Sequence, residues 1–182
     1  MSAQPSAAAA RIGGVHFVPF RAHGDSRGYF FESFRRSWVP EARDMVQGNC
    51  SFSKAGVLRG LHYHLKQADF WVVPSGSVRA VLYDARTGSP TRGASEVHLL
   101  GGAGDSLGGL YIPKGVAHGF LALEDSLMTY LVDEYYDNSD EQGIRWNDPA
   151  LGVDWGAGAP IISDRDQQNR RLAEIPAEEL PR

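Results

Sequence analysis

Short apolar or alternating runs recur along the chain, each ended by glycine, proline, aspartate or serine. They are Val15–Pro19, Tyr29–Phe34, Val46–Ser51, Leu58–His64, Phe70–Val73, Val78–Asp84, Glu96–Leu100, Gly109–Ile112, Gly119–Leu123 and Leu127–Tyr136. Runs of this length and spacing predict strands of an all-β sandwich or barrel. The turn chemistry agrees at Asp25-Ser-Arg-Gly28, Thr87-Gly-Ser-Pro90 and Gly101-Gly-Ala-Gly104. Helix is expected only over Phe34–Arg43 and Asp164–Glu174. Glycine-rich corners between long β-runs suit an all-β double-sheet jelly roll with a few short helices, a fold able to hold a ligand inside. No internal repeat or boundary is visible, so residues 1–12 are expected to form a tail and 13–182 a single domain.

Composition narrows the function classes. The 182 residues carry a formal net charge of -4, which gives no general attraction to nucleic acid or anionic membrane. No window approaches the roughly 18 continuous apolar residues of a membrane span. The Ala/Ser-rich start lacks the pattern of a secretory signal. The single cysteine, Cys50, excludes an internal disulfide and fits a reducing cytoplasm, and its expected place is a small buried site. A soluble cytoplasmic protein is expected.

Chemistry concentrates in Gly56-Val-Leu-Arg-Gly-Leu-His62-Tyr-His64, followed by Asp69 and Gly76, and in Pro113-Lys-Gly115-Val-Ala-His118. Residues two apart on a strand face the same way, so His62 and His64 are expected to enter one cavity. The two segments resemble the paired motifs of cupin barrels, with Asp69 where glutamate is usual and Ala122 where asparagine often stands. Two readings follow. His62, His64, Asp69 and His118 form a divalent metal site with open positions, or the histidines hydrogen-bond each other or a substrate without metal.

A second constellation is acid–base: His62 as base, Tyr130 as acid and Asp166 as the carboxylate that orients the imidazole. Tyr130 and Tyr136 share parity if one strand spans both. Arg27, Arg59 and Arg165 can hold phosphate through paired donors. Gln47 and Asn49 share strand parity and can read a base or sugar edge. Trp71, Trp146 and Trp155 are expected in core or interface, although a ring can stack on any of them.

In order, these pieces resemble the dTDP-4-dehydrorhamnose 3,5-epimerase family. The matching segments are Asp25–Glu32, Val46–Ser53, Gly56–Tyr63, Gly88–Thr91, Ile112–Phe120, Tyr130 to Tyr136, Trp146–Pro149 and Ser163–Asp166. The resemblance implies a cupin-like jelly roll that works as a homodimer on a dTDP-linked 4-keto-6-deoxyhexose, with no cofactor required. It implies His62 as base, Asp166 as its partner and Tyr130 as the acid on the other face. Arg59 would contact the diphosphate, with Gln47 and Asn49 nearby. Arg27 and Glu32 would reach the thymidine in the neighbouring subunit, Tyr136 would lie beside the nucleotide, and His118 would line the sugar pocket. A lysine usual in the family just after the His62 segment is replaced here by Asp69, and His64 is also a departure. Three consequences stay open: a divalent metal on His62, His64, Asp69 and His118 supplies the lost charge; Lys66 or His64 takes the lysine's part; or only one centre, or none, is inverted. The competing classes are a metal-dependent cupin enzyme acting on another small molecule and a non-catalytic sugar-nucleotide-binding cupin.

Overall fold

A computed structural model describes residues 12–102, 104–156 and 158–182. Twelve strands appear among these residues: β1 (His16–Pro19), β2 (His23–Asp25), β3 (Gly28–Phe30), β4 (Gln47–Ser53), β5 (Leu58–His64), β6 (Asp69–Ser75), β7 (Ser77–Asp84), β8 (Ser95–Gly101), β9 (Gly108–Ile112), β10 (Val116–Ala122), β11 (Ser126–Val132) and β12 (Glu141–Gly143). One antiparallel sheet runs β1-β9-β6-β11-β4, and a second runs β12-β5-β10-β7-β8. The expected jelly roll is thus present, and β2 and β3 form a separate hairpin. The tail expected over residues 1–12 lies outside the described residues except for Ile12, which is buried in the core.

The alternation along each strand sorts its side chains into layers. Trp71 and Val73 from one sheet meet Val78, Ala80, Leu82, Val116 and Phe120 from the other, filling the space between the sheets. The outward face of the second sheet, with Leu61, Tyr63, Val81 and Tyr83, is covered by Ile144, Leu151, Trp155, Ile175 and Leu180 of the C-terminal segment. The outward face of the first sheet, with Phe70 and Val72, is covered by Phe34, Trp38, Val39 and Ala42. Trp155 joins the core on the second sheet's outward face, as expected, and its indole donates to the Trp146 carbonyl at 2.8 Å.

Both expected helices are shorter than the pattern suggested. Over Phe34–Arg43 only a 3-10 turn forms, Arg36–Trp38. Pro40 keeps Val39 out of the helical region, at φ -131° and ψ 71°, and ends the turn. The apolar residues that looked helical are simply the cover over the sheet. Near the end, α1 spans Asp164–Gln167 and a 3-10 turn spans Leu172–Glu174. Between them the chain straightens so that Arg170 can bridge to Ile144. Cys50 corrects another expectation, because it is exposed on the outward face of edge strand β4.

One close approach positions the site. In the β5–β10 register His118 opposes His62, and the ladder shifts between His118 and Phe120. There Gly60 and Gly119 face each other: a Cβ on Gly60 would lie 2.6 Å from Gly119 Cα, and Gly60 also has φ +126°. Only glycine permits that contact and that backbone angle.

Asp84 anchors the opposite end of β7. It is fully buried and accepts from Arg86, Ser89 and Thr91 at 2.6–3.1 Å. Burial pushes its carboxyl up, but these bonds outweigh it and hold the pKa down at about 2. The unfolded value, near 3.8, is the higher one, so the stabilisation is complete above it and disappears as pH falls through about 2. The shift corresponds to about 2 kcal/mol. Asp84→Asn is expected to lose that amount at pH 7 and to unfold with a shallower dependence on acid between pH 4 and 2. Denaturant titrations at both ends of the range check this, and parallel acid profiles would refute it.

Candidate active site

Between the sheets, at the end where β4, β5, β6 and β10 carry polar rather than apolar inward residues, lies a cavity of about 280 Å³. Gln47, Asn49, Arg59, His62, His64, Asp69, His118, Tyr130, Tyr136, Arg165 and Asp166 all line it. Most of the predicted site residues therefore converge. Arg27 and Glu32 do not. They sit on the exposed β2–β3 hairpin and just beyond it, paired with Asp25 and Arg35 respectively, away from this cavity.

Asp166 reaches the cavity through the C-terminal segment. The chain pairs at Ile161 with Val57 and at Arg170 with Ile144, which fixes α1 against β5. Ser163 caps α1, its hydroxyl accepting from the Asp166 N–H at 3.1 Å. The buried Asp166 carboxylate then stands 2.7 Å from His62 Nε2 and accepts from the Gly60 N–H at 3.3 Å. Burial raises its pKa, but the His62 hydrogen bond and charge, the Gly60 N–H and Ser163 outweigh it and lower the value. An ionised carboxylate only accepts hydrogen bonds, so the His62 proton sits on Nε2. Nδ1 is left as the nitrogen able to take a proton.

Sequence reasoning missed Glu141. It lies on β12, directly opposite His64 on β5, and its Oε1 is 3.4 Å from His62 Nδ1. Its other oxygen accepts from Arg165 at 3.0 Å. A three-residue strand in a polar stretch gives no hydrophobic period to detect. Only the pairing with β5 reveals it. Arg165 is thus tied to a carboxylate rather than left free for a phosphate.

Tyr130 stands on β11, in the sheet facing His62 across the cavity. Burial raises its pKa, assisted by Asp69 and Glu141 and opposed by Arg59. The phenol therefore remains a proton donor at neutral pH. The strand does not extend to Tyr136, because β11 ends at Val132. Tyr136 reaches the cavity mouth from the following loop, where its N–H donates to Gln47 Oε1 at 3.1 Å. Gln47 in turn donates to Asn49 at 2.8 Å. Arg59 donates to Ser53 Oγ at 3.0 Å and lies at the exposed rim.

The proposed four-ligand metal set divides. His64, Asp69 and His118 bring donor atoms within 4.8 Å of one another, whereas His62 turns to Asp166 and Glu141. Lys66 is a poor stand-in for a cavity cation, since it is exposed and pairs with Asp137 at 3.4 Å. His118 is buried, its Nδ1–H donating to the Val116 carbonyl at 2.9 Å. Burial lowers its pKa to about 4, with Asp69 opposing and His64 assisting, so the ring is neutral near pH 7.

Fold and cavity together define a cupin-like jelly roll with a cavity lined by titratable side chains between its two sheets. The chain belongs to the dTDP-4-dehydrorhamnose 3,5-epimerase family, whose model matches residues 9–174. It is 43% identical over 155 residues to a dTDP-4-dehydrorhamnose 3,5-epimerase of Mycobacterium tuberculosis, covering 79% of this chain and 76% of that one. Its fold is similar to that of the 3,5-epimerase RmlC from Legionella pneumophila in complex with dTDP-4-keto-L-rhamnose, with TM-score 0.87, 36% identity and 95% of each chain covered. It is also similar to ChmJ, a 3'-monoepimerase from Streptomyces bikiniensis in complex with dTDP-quinovose, with TM-score 0.81, 32% identity, and 89% and 85% of the two chains covered.

Proposed function

We propose that this chain epimerises a dTDP-linked 4-keto-6-deoxyhexose at C3, C5 or both, with His62 as base, Asp166 as its positioning carboxylate and Tyr130 as acid. The observation that carries the reading is the placement of base and acid on opposite sheets. A sugar ring held between them meets a proton acceptor on one face and a donor on the other, which is what inversion of a carbon requires. The 4-keto group acidifies the neighbouring C–H because the electron pair left behind delocalises onto oxygen. His62 Nδ1 takes the proton, and both Asp166 and Glu141 stabilise the imidazolium that results. Tyr130 then supplies a proton from the other side.

The cavity's volume, near the lower end of the usual ligand-pocket range of roughly 300–1,000 Å³, suits the hexose, with the nucleotide held at the mouth. There Arg59 would meet the diphosphate, and Tyr136, Gln47 and Asn49 the nucleotide end. Support for a homodimer comes from exposed apolar side chains on one edge and one hairpin: Val46 just before β4 and Phe52 in its outward row, and Tyr29 and Phe30 on β3. In that assembly Arg27 and Glu32 would complete the partner's nucleotide site. A metal-dependent cupin acting on another small molecule would have no use for the opposed Tyr130 and the His62–Asp166 pair. A binding protein without catalysis would have no use for an imidazole oriented by Asp166 across the cavity from a phenol.

The test is incubation with dTDP-4-keto-6-deoxyglucose in deuterium oxide, followed by NMR or mass spectrometry. Deuterium is expected at C3 or C5, and its position reports which centre is inverted. Incubation that leaves both carbons unlabelled would remove the proposal.

A further inference from the structure

We propose that His64, Asp69 and His118 form a site for one divalent first-row transition cation, open to the cavity and separate from the His62 base. The site bridges the two sheets, with Asp69 at the start of β6, His64 at the end of β5 and His118 in β10. Their donor atoms lie within 4.8 Å of one another, with His118 Nε2 3.8 Å from Asp69 Oδ2 and the two imidazole centroids 5.5 Å apart. Metal–ligand bonds of about 2.0–2.2 Å put ligand atoms about 3–3.5 Å from each other, so closing the site needs shifts of about an ångström or less.

The surrounding bonds already orient the ligands as a metal site requires. His118 donates Nδ1–H to a backbone carbonyl, which leaves the Nε2 lone pair directed at Asp69; ligating histidines are usually held this way. Asp69 accepts from Gln67 Nε2 at 2.8 Å and from Trp71 Nε1 at 3.0 Å. Trp71 also packs edge-on against the His118 ring, 5.2 Å between centroids. These hydrogen-bond partners of Asp69 are neutral, yet the residue is only 3% exposed. A buried carboxylate with neutral partners is costly, and a cation on the same oxygen offsets that cost. The cavity's arginines are engaged elsewhere, Arg59 with Ser53 and Arg165 with Glu141.

Two imidazoles and one carboxylate leave open positions on a first-row ion. Resting on the epimerase reading, one of these positions takes the ketone oxygen. As His62 Nδ1 removes the C–H proton, the bonding pair moves into the C–C bond and the carbonyl pair onto oxygen, where the cation holds it. The step reverses when Tyr130 gives its proton to carbon. Nothing is oxidised or reduced. Because His62 is outside the ligand set, base and cation act together without competing for one ring.

The experiment strips the full-length protein with a chelator and titrates it with Zn(II) by calorimetry and with Co(II) by visible absorption. One site per chain is expected. Asp69→Asn and His64→Gln should each weaken it by at least about 100-fold, more than loss of an orienting contact does, while His62→Asn leaves it within about threefold. Circular dichroism confirms folding, and the Co(II) spectrum of the unaltered protein gives a second readout that needs no variant. Absence of a saturable site, or equal sensitivity to His62→Asn and His64→Gln, overturns the site. Deuterium exchange equally fast in stripped and Zn(II)-loaded protein overturns the cation's part in the reaction. A selective metal site without any exchange would instead overturn the epimerase reading and leave the site standing.

Discussion

His62→Asn is expected to lower both inversion and deuterium exchange by at least about 10³, with little change in affinity for dTDP. A positioned general base contributes about 10²–10⁴, and asparagine keeps the volume and a hydrogen bond to Asp166 while losing the ability to take a proton. Arg59, Tyr136 and Asn49, which line the cavity and are proposed to meet the nucleotide, are untouched, so the loss should fall on kcat rather than on KM. Asp166→Asn should cost about 10²–10³ by a different route. An amide opposite His62 Nε2 can donate instead of accept, which moves the ring proton to Nδ1 and points it at the sugar. A wrong tautomer disables a base whose position is unchanged. Since the two residues act as one unit, the double variant should be no slower than His62→Asn alone. Stopped-flow or NMR exchange rates on all three variants check this. A His62→Asn protein exchanging within tenfold of the parent would dismiss the assignment, and a double variant markedly slower than the single would separate the pair.

The fold was legible wherever one physical rule acted alone. Strands β5, β7, β10 and β11 each bury one or both faces, so hydrophobicity alone marked them. The site was legible because its polar side chains sit at fixed parity on strands: His62 and His64 two apart on β5, Gln47 and Asn49 two apart on β4. Failures came where the chain serves a sheet without belonging to it. Phe34, Trp38, Val39 and Ala42 repeat as in a helix but lie on the outer face of the first sheet. Glu141 belongs to a strand that exists only through pairing with β5.

The division of the histidines also lay beyond sequence spacing. Parity places His62 and His64 on one face, and nothing in the text distinguishes their neighbours. The separation arises from two segments far apart in the chain. Asp166 arrives over β5 from α1 and engages His62, while Asp69 arrives from the opposite sheet and approaches His118. Which imidazole meets Asp166 and which lies near Asp69 is therefore decided by long-range topology, in which β5 lies between β12 and β10.

That topology makes a sharp claim about Tyr130. Tyr130→Phe is expected to reduce formation of the inverted sugar by about 10²–10³ while deuterium continues to enter the substrate with its configuration retained. His62 removes the proton from its own face, exchanges it with solvent and returns deuterium to the same face; what the variant lacks is the donor on β11. The phenol's raised pKa keeps that donor protonated throughout the neutral range, so in the parent enzyme inversion should show no loss attributable to Tyr130 until pH passes its ordinary value of about 10. Phenylalanine preserves the ring that packs with the inter-sheet core, so unfolding should change little. Chiral analysis of the product alongside isotope content distinguishes the two events. If exchange and inversion fell in equal proportion, Tyr130 would be acting on enolate formation rather than as the acid of the opposite face, and the two-sheet account of inversion would have to find its second proton elsewhere.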